Sequence, residues 1–104
     1  MTAVALSPQI AVHLKSIEGR TNDDKLLRLL ETYLASQLRA CEQEISAYEV
    51  KYRATFAEFA QAWERDEIPD RHRHAIERDY MEWEGLVVEK QKWLERLRSL
   101  PKRG

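Results

Sequence analysis

The chain has 104 residues, of which 43% are hydrophobic and 34% charged, with only 3 Gly and 3 Pro. That is one domain's worth of sequence, too apolar for wholesale disorder, with the excess charge and scarcity of turn formers that mark long solvated helices. Its net charge of −1 divides evenly, with 6 basic against 7 acidic residues in 1–52 and 11 against 11 in 53–104. No basic surplus of the kind that holds a protein to nucleic-acid phosphates is present. A single cysteine, Cys41, excludes an intramolecular disulfide and fits a reducing compartment. No apolar run approaches the ~20 residues of a membrane span, and no signal-peptide pattern opens the chain, so the expectation is a soluble, cytoplasmic protein with no membrane partner.

The opening segment, Thr2-Ala3-Val4-Ala5-Leu6, alternates weakly and predicts a short strand with Val4 and Leu6 on one face. Ser7 is a good N-cap and Pro8 suits a first helical position, so a helix should start there, with Ile10, Val12 and Leu14, together with Ala11 and Ile17, letting one side pack, and Gly19 supplying the stop. Thr21-Asn22-Asp23-Asp24 is a second start signal, with acidic residues where the helix dipole favours them. Nothing then interrupts the helix until about Tyr52. Leu34, Leu38, Cys41, Ile45, Tyr48 and Tyr52 follow 4-3-4-3-4 spacing, with Leu27 and Leu30 upstream, which is a heptad seam.

A helix of ~30 residues is ~45 Å long, whereas a compact domain of ~100 residues has a radius of gyration of ~13 Å. Part of the seam should therefore stand in water unless the helix kinks or another chain covers it, and a covering chain is the preferred expectation. Thr55-Phe56-Ala57-Glu58 reads as a capping box opening a short helix that carries Phe56, Phe59, Ala60 and Trp63 on one side and fades near Glu67. Ile68-Pro69-Asp70 is a connection, with Asp70 a plausible next N-cap. The last helix runs to about Leu100 before Pro101, with Ile76, Tyr80, Trp83, Val87, Leu94 and Leu97 as its stripe and Lys90 as the defect in it. The fold expected is mainly α, with a short N-terminal strand and about four helices, one of them long and central.

Candidate chemical groups read as structural. His72 and His74, two apart on a helix, point away from each other and lack a third ligand, and His13 stands alone. Cys41 lies among Leu38 and Ile45 on the seam, where no base could activate a thiol. The many carboxylates alternate with Arg and Lys at helical spacing, which is the pattern of a solvated face. No catalytic residue, metal set or cofactor is expected, and the chain is not expected to be an enzyme. The aromatic residues are more telling. Phe59, Trp63, Tyr80, Trp83, Val87, Trp93 and Leu97 form either a partner interface, since Trp and Tyr dominate interface energetics, or the monomer's own core. Trp93, off the main stripe, is the preferred exposed anchor.

The strand, the Leu6-Ser7-Pro8 helix start, the Gly19-Arg20-Thr21 turn and the pattern Leu27, Leu30, Glu31, Tyr33, Leu34 resemble a ribbon-helix-helix module. That resemblance implies a homodimer built from residues 1–36, with Val4, Leu6, Leu14, Leu27, Leu30 and Leu34 in its core and residues 37–104 as a helical, partner-binding extension. It also implies DNA contact through Thr2, Ala3 and Ala5 on the strand and through Thr21 and Asn22 at a helix N-terminus. Alanine, however, offers base edges no hydrogen bond, so dimerisation is better supported than operator reading. The second half, Lys51-Tyr52 through Phe59 and then Asp79-Tyr80-Met81-Glu82-Trp83-Glu84-Gly85-Leu86, resembles small proteins found beside toxin genes in bacteria and archaea. Together these imply an antitoxin that covers a cognate toxin, by analogy a ribonuclease, and regulates its own operon. The competing expectation is a coiled-coil-like adaptor homodimer.

Overall fold

A computed structural model describes residues 6–102. In chain order these form a one-turn helix α1 (Pro8–Ala11), a 3-10 segment (Val12–Ser16), α2 (Asn22–Tyr52), α3 (Phe56–Glu64) and α4 (His74–Ser99). The described residues contain no strand. The strand expected at the N-terminus, with Thr2, Ala3, Val4 and Ala5, lies outside the described residues, while Leu6 sits in an irregular lead-in to α1.

The start signals act as the sequence predicts. Ser7 caps α1 by accepting from the Ile10 N–H, with Pro8 at the first helical position, and Thr21 caps α2 by accepting from the Asp24 N–H. Thr55 and Glu58 form a full capping box on α3, each side chain bonded to the other's backbone N–H. Two expectations need correction. The segment after Ser7 is not one α-helix, because four residues of α give way to a tighter 3-10 stretch, a form short helices adopt when propagation is too brief to repay nucleation. The N-cap of α4 is Arg73 rather than Asp70. Asp70 adopts φ 55°, and its carbonyl accepts the Arg73 N–H in a turn, whereas an N-cap needs extended backbone.

The larger correction concerns the seam. Helix α2 runs unbroken for 31 residues, and the chain's own α4 lies antiparallel along it. Tyr52 meets Asp79, Tyr48 meets Glu82 and Trp83, Cys41 meets Leu86, and Tyr33 meets Trp93, partner numbers rising as α2 numbers fall. Leu34, Cys41 and Ile45 are buried as a result. The molecule is a helical hairpin measuring 58 × 26 × 23 Å, with a radius of gyration of 20.1 Å. A covering chain is thus not needed for most of the strip. Two long helices have shielded each other by giving up compactness, an arrangement the length comparison did not include. Arg53, in the left-handed region at φ 53°, ends α2 and turns the chain into α3, which braces the closed end of the hairpin.

Candidate functional site

At the closed end, Cys41, Ile45, Phe59 and Trp83 form the buried core, wrapped by Tyr48, Tyr52, Phe56, Trp63 and Tyr80. Trp83 has no exposed surface. Tyr48 and Tyr52 stack on it from α2, at 5.6 and 5.8 Å between ring centroids, and Phe59 packs from α3 at 5.2 Å. Trp63 and Tyr80 face each other at 4.6 Å. Arg71 clamps the α3–α4 connection from below, donating to the Trp63 carbonyl, pairing with Asp66 at 3.1 Å and lying over the Trp63 ring.

Polar groups fasten the same end. Asp79 accepts from both Lys51 and Tyr52 at 2.5 Å, and Tyr48 donates to Glu82 at 2.5 Å. Burial alone would raise the Asp79 pKa, but the hydrogen bonds from Lys51 and Tyr52 outweigh it and hold the carboxyl below its ordinary value. The Glu82 hydrogen bond, with burial and nearby carboxylates, pushes Tyr48 up to about 12. Burial first, and then the Asp79 hydrogen bond, raises Tyr52 as well. Cys41 donates to the Leu86 carbonyl at 3.1 Å. Its thiol is raised by burial and by Glu89, Glu44 and Glu42, against a lowering influence from Lys90. A buried thiol held protonated in this way is a packing group, since reactivity needs the thiolate.

The residues singled out in the sequence thus fall into separate groups. Phe59 and Trp83 are buried in the chain's own core, and Trp63, Tyr80, Val87 and Trp93 are packed against it. Of the two uses left open for these residues, the monomer core has taken those six in whole or in part. Trp93 and Leu97 are half-buried towards the open end, where Trp93 meets the Tyr33 ring edge-on at 6.3 Å and donates to Glu89. Trp93 is therefore only partly exposed. Leu14 and Leu34 are buried within the monomer, Leu6 and Leu27 are half-buried, and Leu30 is 50% exposed. The Thr21 hydroxyl is engaged in capping α2, and Asn22 is followed by Asp23 and Asp24, which would repel a phosphate at that terminus. His72 lies near Glu77 at 3.8 Å, and no group of three or more His, Cys, Asp or Glu that could hold a metal is found among the described residues.

Two features escaped the sequence reading. Five of the eight large hydrophobic side chains exposed among the described residues fall between positions 10 and 33: Ile10, Val12, Leu29, Leu30 and Tyr33. The signal for them was present, because Leu26-Leu27-Arg28-Leu29-Leu30 holds more leucines than one helix face can bury. The second is a groove of about 620 Å³ between α2 and α4, lined by Glu44, Ala47, Tyr48, Glu82, Gly85, Leu86 and Glu89. Its signal was a glycine in the interior of a helix with no turn to make.

Fold and surface together define an elongated α-helical hairpin, closed by an aromatic cluster and open at an apolar end. Comparison with known proteins found no matching family model, no matching curated protein and no matching solved structure.

Proposed function

We propose that this chain is a non-catalytic interaction protein that binds and neutralises a cognate toxin, of the ribonuclease class its resemblances imply. The observation that carries the reading is the apolar end of the hairpin. Ile10, Val12, Leu29, Leu30 and Tyr33 are between 42% and 58% exposed. Full burial of an exposed large apolar side chain gains about 1.5–3 kcal/mol, and these half-covered ones would gain roughly half of that each, so leaving five of them wet on a chain this small favours a surface that a partner completes. Trp93, partly exposed beside Tyr33, extends the same region with a residue type that anchors interfaces.

The contact surface of this reading differs from the one the sequence suggested. Phe59 and Trp83 hold the hairpin together, so the toxin-facing surface is placed at residues 10–33 and Trp93 rather than along the whole C-terminal half. The second resemblance is carried largely by fold-forming residues, namely Tyr52, the Thr55–Glu58 capping box, Phe59, Tyr80 and Trp83. It supports a shared hairpin more directly than a shared target. Operator DNA and the ribbon-helix-helix dimer over residues 1–36 remain part of the proposal only through the first resemblance.

Co-expression with each neighbouring open reading frame tests the reading. A tight complex is expected that restores growth to cells producing the neighbour, with Leu30→Glu and Tyr33→Glu abolishing both complex and rescue while leaving helicity unchanged. If no neighbour is toxic or bound, the antitoxin reading is lost. The rod shape would then favour the adaptor alternative, which predicts a stable helical assembly without a toxic neighbour.

A further inference from the structure

Helix α4 carries two strips of opposite character. Ile76, Tyr80, Trp83, Val87, Lys90, Leu94 and Leu97 are all buried or half-buried towards the rest of the chain. Glu82, Gly85, Glu89, Lys92, Arg96 and Ser99, spaced 3-4-3-4-3, are all exposed. That second strip is itself a heptad seam, written in charge. Its upstream half is acidic and its downstream half basic.

Within one chain only part of this order is favourable. Glu89 and Lys92 are opposite charges at i,i+3, but Lys92 and Arg96 are like charges at i,i+4, a spacing at which solvated helices gain from opposite ones. None of Glu44, Glu82, Glu89 and Lys92 forms an ion pair among the described residues, and Arg96 is engaged only over its own Trp93 ring. Gly85 costs helix stability relative to alanine, and a Cβ there would meet nothing within 4 Å. No contact inside the chain explains the glycine. The open space over it belongs to the groove whose rim carries Glu44, Glu82 and Glu89.

We propose that this strip is a homodimer interface, in which the α4 helices of two copies lie antiparallel about a twofold axis beside Lys90 and Gln91. In that register Glu89 of one copy faces Lys92 of the second. Arg96 of the second copy lies over Gly85, with its guanidinium among the groove's three carboxylates. The twofold repeats both contacts, as an isologous interface requires. Charge complementarity selects a second copy, because this helix carries on its own downstream half the cations its upstream half lacks. The interface is polar and of modest strength, and it weakens as salt screens it. Glu89 and Arg96 of this strip touch Trp93, but Ile10, Val12, Leu29, Leu30 and Tyr33 take no part in it, and the dimer does not depend on the toxin reading.

Sedimentation equilibrium on the full chain, at low and high salt, tests it. A dimer is expected at tens of micromolar in low salt, dissociating as sodium chloride is raised. Glu89→Lys and Lys92→Glu should each weaken it by about tenfold or more, since each places two like-charge contacts in every dimer. The double variant Glu89→Lys/Lys92→Glu should restore it, because it only inverts both pairs. Gly85→Gln should weaken dimerisation without loss of helicity by circular dichroism. A monomer under all conditions overturns the inference, as does a dimer indifferent to the charge changes or a double variant that fails to recover. A monomeric chain that still neutralises a toxin would overturn this inference alone.

Discussion

At the centre of the aromatic cluster, Trp83 is withdrawn completely from water, and its indole N–H finds no hydrogen-bond acceptor among the described residues. Two opposed contributions therefore meet in one side chain. Truncation to alanine removes its packing against Tyr48, Tyr52 and Phe59, and should destabilise the fold by about 3–5 kcal/mol. Trp83→Phe loses volume but also removes an unsatisfied buried donor, whose burial costs about 1–3 kcal/mol. It should therefore fall well short of the alanine loss in urea unfolding, and a phenylalanine variant as damaged as the alanine one would contradict the assignment. The tyrosines beside it give a pH signature. Tyr48 ionises at about 12 in the folded chain and near 10 when unfolded, so the unfolded state gives up its proton first. Stability should hold up to about pH 10 and decline between about 10 and 12, with Tyr52 contributing in the same direction. Tyr48→Phe should flatten that decline in a series of urea titrations.

At the level of elements, the sequence was most legible where local chemistry decides. Ser7, Thr21 and the Thr55–Glu58 box start their helices as expected, because a cap is satisfied by residues three positions away. Asp70 failed as a cap because the turn placed it in left-handed backbone, which residue type alone does not reveal. Both apolar stripes of the hairpin were visible as periodicities. Their mutual pairing was not, since a stripe records that a face is covered without recording by what. The surface was least legible. Leu30 reads as seam yet lies half exposed, and Gly85 reads as one small residue among many until its empty surroundings are known. With no neighbour to clash, Gly85→Ala should raise the stability of the isolated hairpin by up to ~1 kcal/mol, measured by thermal unfolding in high salt where self-association is screened.

On the scale of the whole molecule, extension replaces compaction. Small-angle scattering from the monomer should give a radius of gyration near 20.1 Å, far above the ~13 Å of a compact chain of similar length. A value close to the compact one would mean that the hairpin bends back on itself in solution. The core is also unevenly spread along the rod. Cys41, Ile45, Phe59 and Trp83 are clustered in the half nearer the closed end with the Asp79 and Glu82 hydrogen bonds, whereas Leu14 and Leu34 are the buried residues towards the other. Amide hydrogens should accordingly exchange slowest around residues 41–59 and 79–87, and progressively faster towards residues 8–30, as local opening becomes cheaper.

That gradient has a consequence for recognition. Ile10, Val12, Leu29 and Leu30 stand towards the end where fewer side chains are buried. A docking partner can reshape the free end of the rod to its own contours, at little energetic expense, while the aromatic clasp keeps the two long arms in register like the pivot of a pair of tweezers.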